Sequence, residues 1–272
     1  MRLAAVQTTR ETSMSSKPAR PVPMKAARRL IPIATPASGG RAAVSCSLCC
    51  LQGVCLPCGL TVDKLGDMDE LTRLKRRVTR GATIYRGGDA FDSVYAVRSG
   101  SFKSVSVSRN GDEKVTGLHL PGEVMGLDAI NHKRHGYDAV ALEDSEVCVI
   151  PYARLTEFAL RIPELQAQLL RLLSGDISRD QGLMLLLGGM DAEQRIAAFL
   201  LSLSRRYQKL GYAATRFNLR MTREDIGSYL GLTLETVSRL FSRMQREGIV
   251  ATQQREVELK DVERLKERVG HW

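Results

Sequence analysis

Five cysteines stand within thirteen residues, Cys46-Ser-Leu-Cys49-Cys50-Leu-Gln-Gly-Val-Cys55-Leu-Pro-Cys58, and a sixth, Cys148, lies far down the chain. Thiolates are soft ligands that suit iron–sulfur clusters, zinc or copper(I). A cubane cluster takes four of them. Cys46, Cys49 and Cys55 can supply three from one short loop, leaving the fourth to come from elsewhere. The run Cys46-x2-Cys49-x5-Cys55-x2-Cys58 also reads as a compact zinc site, although its five-residue gap is short for a zinc ribbon. In that case Cys148 is an ordinary buried strand residue, the commoner fate of a cysteine. A thiol–disulfide switch is a third option. Spacing alone does not separate the iron–sulfur and zinc readings.

A second chemical pattern runs from Arg223 to Met244. Thr222 can cap a helix with Asp225 three residues on, and Gly231 supplies a turn where a left-handed residue is commonly needed. Thr233 then caps a second helix. Its Val237, Leu240, Phe241 and Met244 fall at i, i+3, i+4 and i+7, the spacing of a buried face. Glu235, Ser238, Arg239 and Ser242 take the other face, starting in the first turn. That is the part of a recognition helix that enters the major groove. Arg can fork onto guanine O6 and N7, Glu accepts from cytosine N4, and Ser serves either role. Ile249-Val250 and Val257–Leu259 read as a two-stranded wing.

Elements that could position these groups follow from composition and period. The 272 residues allow two ordinary domains, and 43% are apolar, so a sizeable core can form. No apolar run approaches the roughly 20 residues of a bilayer span. Nothing before Cys46 forms the apolar core of a secretory signal, so the expected compartment is the cytoplasm, where thiols stay reduced. The net charge of +10 is uneven: +7 in residues 1–45, −1 in the middle and +4 in residues 191–272. A mildly basic C-terminal region fits a DNA partner. Residues 1–45 are rich in Ala, Ser, Thr, Pro and Arg without a period and read as a disordered basic tail.

A cysteine-rich segment (46–62) leads into a region, 63–155, where short β-rich pieces alternate with turns. These pieces are Thr83–Tyr85, Ser93–Val97, Phe102–Val107, Lys114–Leu120 and Glu146–Ile150, with Asn110-Gly111 as a hairpin tip. They predict a small antiparallel roll or jelly roll. The period turns helical after Pro163, within a dimerisation segment placed at 156–190. Leu165, Leu169, Leu173, Ile177, Asp180 and Met184 recur at spacings of three and four, which predicts a long helix with a coiled-coil-like seam and so a homodimer contact. Asp176 and Asp180 are awkward on such a seam, because like charges would meet across a dyad. The fold class is thus α+β: an N-terminal antiparallel roll, a long dimerisation helix and a winged helix-turn-helix over 191–272.

A roll, a long helix and a winged helix-turn-helix reading Leu232-Thr-Leu-Glu-Thr-Val-Ser-Arg239-Leu resemble the cyclic-AMP receptor protein superfamily. The Cys46-x2-Cys49-x5-Cys55 group with Cys148 is similar to its FNR branch of oxygen-responsive regulators, and the resemblance extends over about 46–270. It implies a [4Fe–4S] cluster on Cys46, Cys49, Cys55 and Cys148. It further implies a homodimer that binds DNA without oxygen and falls apart when the cluster is degraded. Glu235, Ser238 and Arg239 would read a two-fold TTGAT…ATCAA-type site, and the tip Gly111-Asp112-Glu113 would touch RNA polymerase. Relatives that bind cyclic AMP use a Gly-Glu pair for the ribose and an Arg-Ser pair for the phosphate. Here the matching stretches read Gly126-Leu127-Asp128 and Tyr137-Asp138-Ala139, so no cyclic nucleotide is expected. No enzyme is expected either: the ferredoxin run C-x2-C-x2-C-x3-C-P is absent, and His119, His132, His135 and His271 have no nucleophile-partner pattern.

Overall fold

The computed structural model describes residues 45–108 and 110–270, so the segment read as a basic tail lies almost wholly outside them. A single 3₁₀ turn at Cys46–Leu48 and a series of tight turns precede α1 (Val62–Leu71). Seven strands follow: β1 (Lys75–Val78), β2 (Ser93–Ser99), β3 (Phe102–Val107), β4 (Glu113–His119), β5 (Val124–Met125), β6 (Asp138–Ala141) and β7 (Ser145–Pro151). They form two antiparallel sheets, ordered β1-β7-β2-β5 and β4-β3-β6. Thr83–Tyr85, read as a strand, is not a full one: Thr83 bridges Val140, Ile84 N donates to Ala139 O at 2.9 Å and Ala139 N donates to Tyr85 O at 3.0 Å. The β3–β4 hairpin turns at Gly111, whose φ of +83° is what a residue without Cβ adopts freely.

Period-two alternation decides what each strand shows to each side. On β7, Val147 and Val149 enter the core between the sheets with Val97 and Phe102. Cys148 and Ile150 face the other way, into a second core shared with Cys46, Leu56, Met68, Leu155 and Leu165. Cys148 is therefore directed at the cysteine segment and the helices that cover the roll.

The helical period expected after Pro163 is α3 (Pro163–Gly189), and a separate helix, α2 (Tyr152–Arg161), precedes it. The break lies at Ile162, held extended at φ −122° and ψ 92°, because the residue before a proline is kept out of the helical region while Pro163 itself suits a first helical turn. Within α3 the expected seam is corrected at its start. Leu165 has no accessible surface in its own chain, and Leu169 and Leu173 pack partly on the roll's outer core. Leu165 thus has nothing to offer a partner. Leu170, Ile177 and Met184 are instead 60%, 57% and 71% exposed, at a seven-residue repeat in which Leu170 takes the place expected of Leu169. Asp180 lies exposed between the last two.

The C-terminal region comprises α4 (Ala192–Lys209), β8 (Arg216–Asn218), α5 (Arg223–Leu230), α6 (Leu234–Arg246), β9 (Val250–Gln253), β10 (Glu256–Leu259) and α7 (Val262–Val269). The wing has three strands, β8-β10-β9, and not two, because Phe217 pairs with Val257. Asp191 closes a capping box with Gln194 at the start of α4. Arg195 donates to the carbonyls of Leu187, Met190 and Leu230, satisfying helix-end acceptors of α3 and α5 with one guanidinium.

This region is packed directly on the roll. Val115, Leu118, Leu120 and Leu142 belong to its core. Lys103 pairs with Asp225, Arg220 with Glu143 at 3.0 Å, and the Val115 amide donates to Ser228 Oγ at 2.8 Å. Arg206 on α4 forks onto Glu123 at 3.0 and 2.7 Å and also donates to the Leu118 carbonyl. Arg179 of α3 lies 3.7 Å from the same carboxylate. Burial pushes the Glu123 carboxyl upward, but Arg206 and Arg179 outweigh it and hold it below the usual range. Glu123→Ala leaves Arg206 largely uncompensated, and we expect a loss of about 3 kcal/mol in urea melts at neutral pH. Because the folded value is depressed, that contribution is fully present above the ordinary carboxylate pKa of about 4.3. It fades as pH falls through the folded value, so the wild type and the variant should converge in acid.

Candidate metal centre and nucleic-acid interface

The cysteine segment is a chain of turns, with Cys49 N donating to Cys46 O, Cys55 N to Leu51 O and Cys58 N to Cys55 O. The Cys46 amide is tied to Asp69 on α1, and its sulfur lies 3.1 Å from Thr72 Oγ1. Leu56 is fully buried and anchors the segment's far end. These ties fold the loop over the face from which Cys148 projects.

Cys46, Cys49, Cys55 and Cys148 line one cavity. The rest of its wall is Leu51, Leu56, Pro57, Ala96, Val97 and Ile150, with Thr72 and Arg98 as the polar members. Every pair among the four cysteines lies within electrostatic reach. Burial raises all the affected thiols: Cys46 upward, Cys55 to about 12 and Cys148 to about 11. These three are protonated at neutral pH, so ligation must release their protons. Cys50 is exposed, and Cys58 is half-buried with its sulfur 3.2 Å from the Gly53 carbonyl. Neither lines the cavity. Among the described residues, no three His, Cys, Asp or Glu side chains converge as ligands of a single ion. A tetrahedral zinc site with bonds of about 2.3 Å needs sulfurs roughly 3.8 Å apart.

In the second site, α5 and α6 meet at a turn built on Gly231, at φ +65°. A Cβ on Gly227 would stand 2.6 Å from the Leu232 carbonyl, so the close helix crossing needs glycine there. Thr222 and Asp225 form the expected capping box, and Thr233 caps α6. Val237, Leu240, Phe241 and Met244 are buried, which leaves Glu235 and Arg239 exposed and Ser238 half-exposed on the outer face. The Arg223 guanidinium lies 3.4 Å over the Phe241 ring, a contact between helices that the sequence pattern did not signal.

Residues 75–161 match the family model described as a cyclic nucleotide-binding domain, and residues 194–268 match the Crp-like helix-turn-helix domain. The chain is 50% identical over 228 residues to the transcriptional regulatory protein btr of Bordetella pertussis, covering 84% of this chain and 94% of that protein. It is 41% identical to the fumarate and nitrate reduction regulatory protein of Escherichia coli K12, covering 86% and 93%. The chain belongs to the FNR branch of the CRP/FNR superfamily. Like its relatives it is a DNA-binding transcription regulator and not an enzyme. The solved structure of FixK2 from Bradyrhizobium japonicum superposes with a TM-score of 0.67 at 31% identity, covering 73% of this chain and 98% of that one. The transcriptional activator protein Anr of Pseudomonas protegens is a further relative, at 45% identity over 79% of this chain and 88% of that protein.

For this FNR-branch regulator the outer face of α6 is the surface to test. Arg239→Ala should lose about 1–3 kcal/mol at one base pair of the site and relax preference there, with a smaller loss on random DNA. Equal losses on every sequence in a titration would make Arg239 a phosphate contact.

The hairpin tip Gly111-Asp112-Glu113 is exposed, with the Gly111 amide donating to the Ser108 carbonyl. Where a cyclic nucleotide would be held, Leu127 is buried, the Asp128 carboxylate accepts from Gly136 N and the Asp138 carboxylate from Gly87 N. His135 stacks on Tyr85, with ring centroids 3.7 Å apart. No described helix is long and apolar enough to cross a membrane.

Proposed function

We propose that the protein is an oxygen-responsive transcription regulator in which Cys46, Cys49, Cys55 and Cys148 hold a [4Fe–4S] cluster that promotes homodimerisation and sequence-specific DNA binding without oxygen. The observation that carries this reading is the single cavity lined by those four thiols and by no other cysteine. Four soft donors in an apolar wall fit a cluster. The compact zinc alternative is disfavoured because it needs Cys58, which does not line the cavity and whose sulfur lies 3.2 Å from the Gly53 carbonyl. When bound, the cluster supplies an oxygen-labile crosslink among the four thiolates.

The chain's own residues do the rest. Cys148 ties the link to the roll and Cys55 to the segment packed on α3, so a change at the cavity reaches the helix that carries Leu170, Ile177 and Met184. That exposed stripe is the dimer face in this reading, with Leu173 at its edge and Asp180 within it. Glu235, Ser238 and Arg239 then read two half-sites of the TTGAT type. Asp112 and its neighbours offer RNA polymerase an exposed turn. The closed aromatic packing of Tyr85 and His135 supports a roll without cyclic nucleotide. We place the protein in the cytoplasm, beside its DNA.

The test is protein purified without air. Four irons and four sulfides per chain are expected, and brief aeration should abolish cluster absorbance, the dimer in sedimentation and the DNA footprint together. Zinc in place of iron, with a dimer indifferent to air, would sink the reading.

A further inference from the structure

Of the 27 residues of α3, only Leu165 and Gln168 are buried. Leu165 is explained by packing. Gln168, at 5% exposure, is not, since a methionine or leucine would fill the same space without an amide to satisfy. Its two ends are both used. Nε2 donates to the main-chain carbonyl of Cys55 at 3.1 Å, and Oε1 accepts from Arg171 Nε at 2.8 Å.

We propose that Gln168 is the positioning residue through which the cysteine cavity sets the orientation of the dimer face. This rests on the cluster and dimer reading above. Cys55 carries two functions at one residue: it lines the cavity, and its carbonyl is held by α3. Any shift of the Cys55 main chain on ligation acts directly on that hydrogen bond. Leu56 and Leu165 share the surrounding apolar core, whose packing is non-directional and tolerates small rotations, whereas an amide–carbonyl bond is directional. At about 100° per residue, Leu170, Ile177 and Met184 stand roughly 160–200° around the helix from Gln168. One side of α3 therefore reads the cysteine segment, and the opposite side presents the exposed stripe. Gln168 fixes the rotation that connects them.

The test compares dimer affinity with and without the cluster, by sedimentation under anaerobic conditions, for wild type, Gln168→Leu and Gln168→Glu. Gln168→Glu keeps the shape and an acceptor for Arg171 but loses the N–H donor, so it carries the test if the leucine variant folds poorly. Iron and sulfide counts should match wild type in both variants. Cluster-free dimerisation should be unchanged, while the loaded dimer should weaken about tenfold or more, within the range of ordinary site-to-site coupling. A packing defect alone would shift the loaded and cluster-free affinities together and leave their ratio intact. A wild-type ratio in both variants overturns the proposal, as does failure of both variants to load iron, which would make Gln168 part of assembly. A wild type that carries no iron and sulfide sinks the cluster reading, and this proposal with it.

Discussion

Cys148→Ser should strip the anaerobically purified protein of iron and sulfide entirely, while Cys58→Ser should leave both at wild-type levels. The two thiols differ in where the fold directs them. Cys148 sits between Lys75 and Ala96 in the register of β1, β7 and β2, and its side chain leaves the sheet on the side covered by the cysteine segment. Removing it deletes a wall of the cavity for which no mobile substitute exists, because a strand in the middle of a sheet cannot slide to offer another residue. A serine hydroxyl is a hard donor and does not replace thiolate for iron–sulfur chemistry. Cys58 lies outside the cavity, and its loss costs at most a weak contact to the Gly53 carbonyl. The reverse outcome, iron lost with Cys58→Ser and kept with Cys148→Ser, would transfer the site to the compact four-cysteine loop.

Asp180→Ala should produce a dimer, and DNA binding, in air. Leu170, Leu173, Ile177, Asp180, Met184 and Leu187 follow the a/d spacing of a parallel coiled coil, so the two Asp180 carboxylates would face each other across the dyad. Although Asp180 is exposed, partial desolvation outweighs Arg179 and already raises its carboxyl in the single chain. Two charges ~7 Å apart at an effective dielectric of ~20 repel by roughly 2.4 kcal/mol, some fiftyfold in the dimer constant. In the proposed dimer the exposed leucine, isoleucine and methionine would have to offset that repulsion, which would put the cluster-free state near balance. Sedimentation of the cluster-free variant decides the matter: a monomer, at concentrations where the loaded wild type dimerises, would return Asp180 to the solvated surface.

The helix-turn-helix was legible in the sequence almost residue by residue, because its caps, its Gly231 turn and its i, i+3, i+4, i+7 face are local signals. The β3–β4 hairpin was legible for the same reason, through Asn110-Gly111. The four candidate ligands came from the family resemblance, and the cavity supports that grouping over the one including Cys58. Strands β1, β5 and β6 were missed: Lys75-Arg-Arg-Val78 carries three charges, and Val124–Met125 is two residues long. Their pairing is non-local, with β1 joining β7 some seventy residues on. The start of the α3 stripe failed for a related reason. Leu165 and Leu170 are both leucines on a helix, and only the roll packed against one side distinguishes the covered residue from the exposed one.

The docking of the C-terminal region on the roll bears on how such proteins can be recombined. Lys103, Val115, Glu123 and Glu143 on one side meet Asp225, Ser228, Arg206 and Arg220 on the other, with Leu118, Leu120 and Leu142 beneath them in a common core. A chimaera cut at residue 191 would set a foreign helix-turn-helix on a surface shaped for these partners, and a truncated roll would carry the bared leucines into solution as a sticky patch. Roll and helix-turn-helix are thus not interchangeable cassettes in this chain. Under the proposed reading, DNA specificity should be exchangeable at the few exposed positions of α6, whereas grafting a whole helix-turn-helix region would require rewriting the roll beneath it.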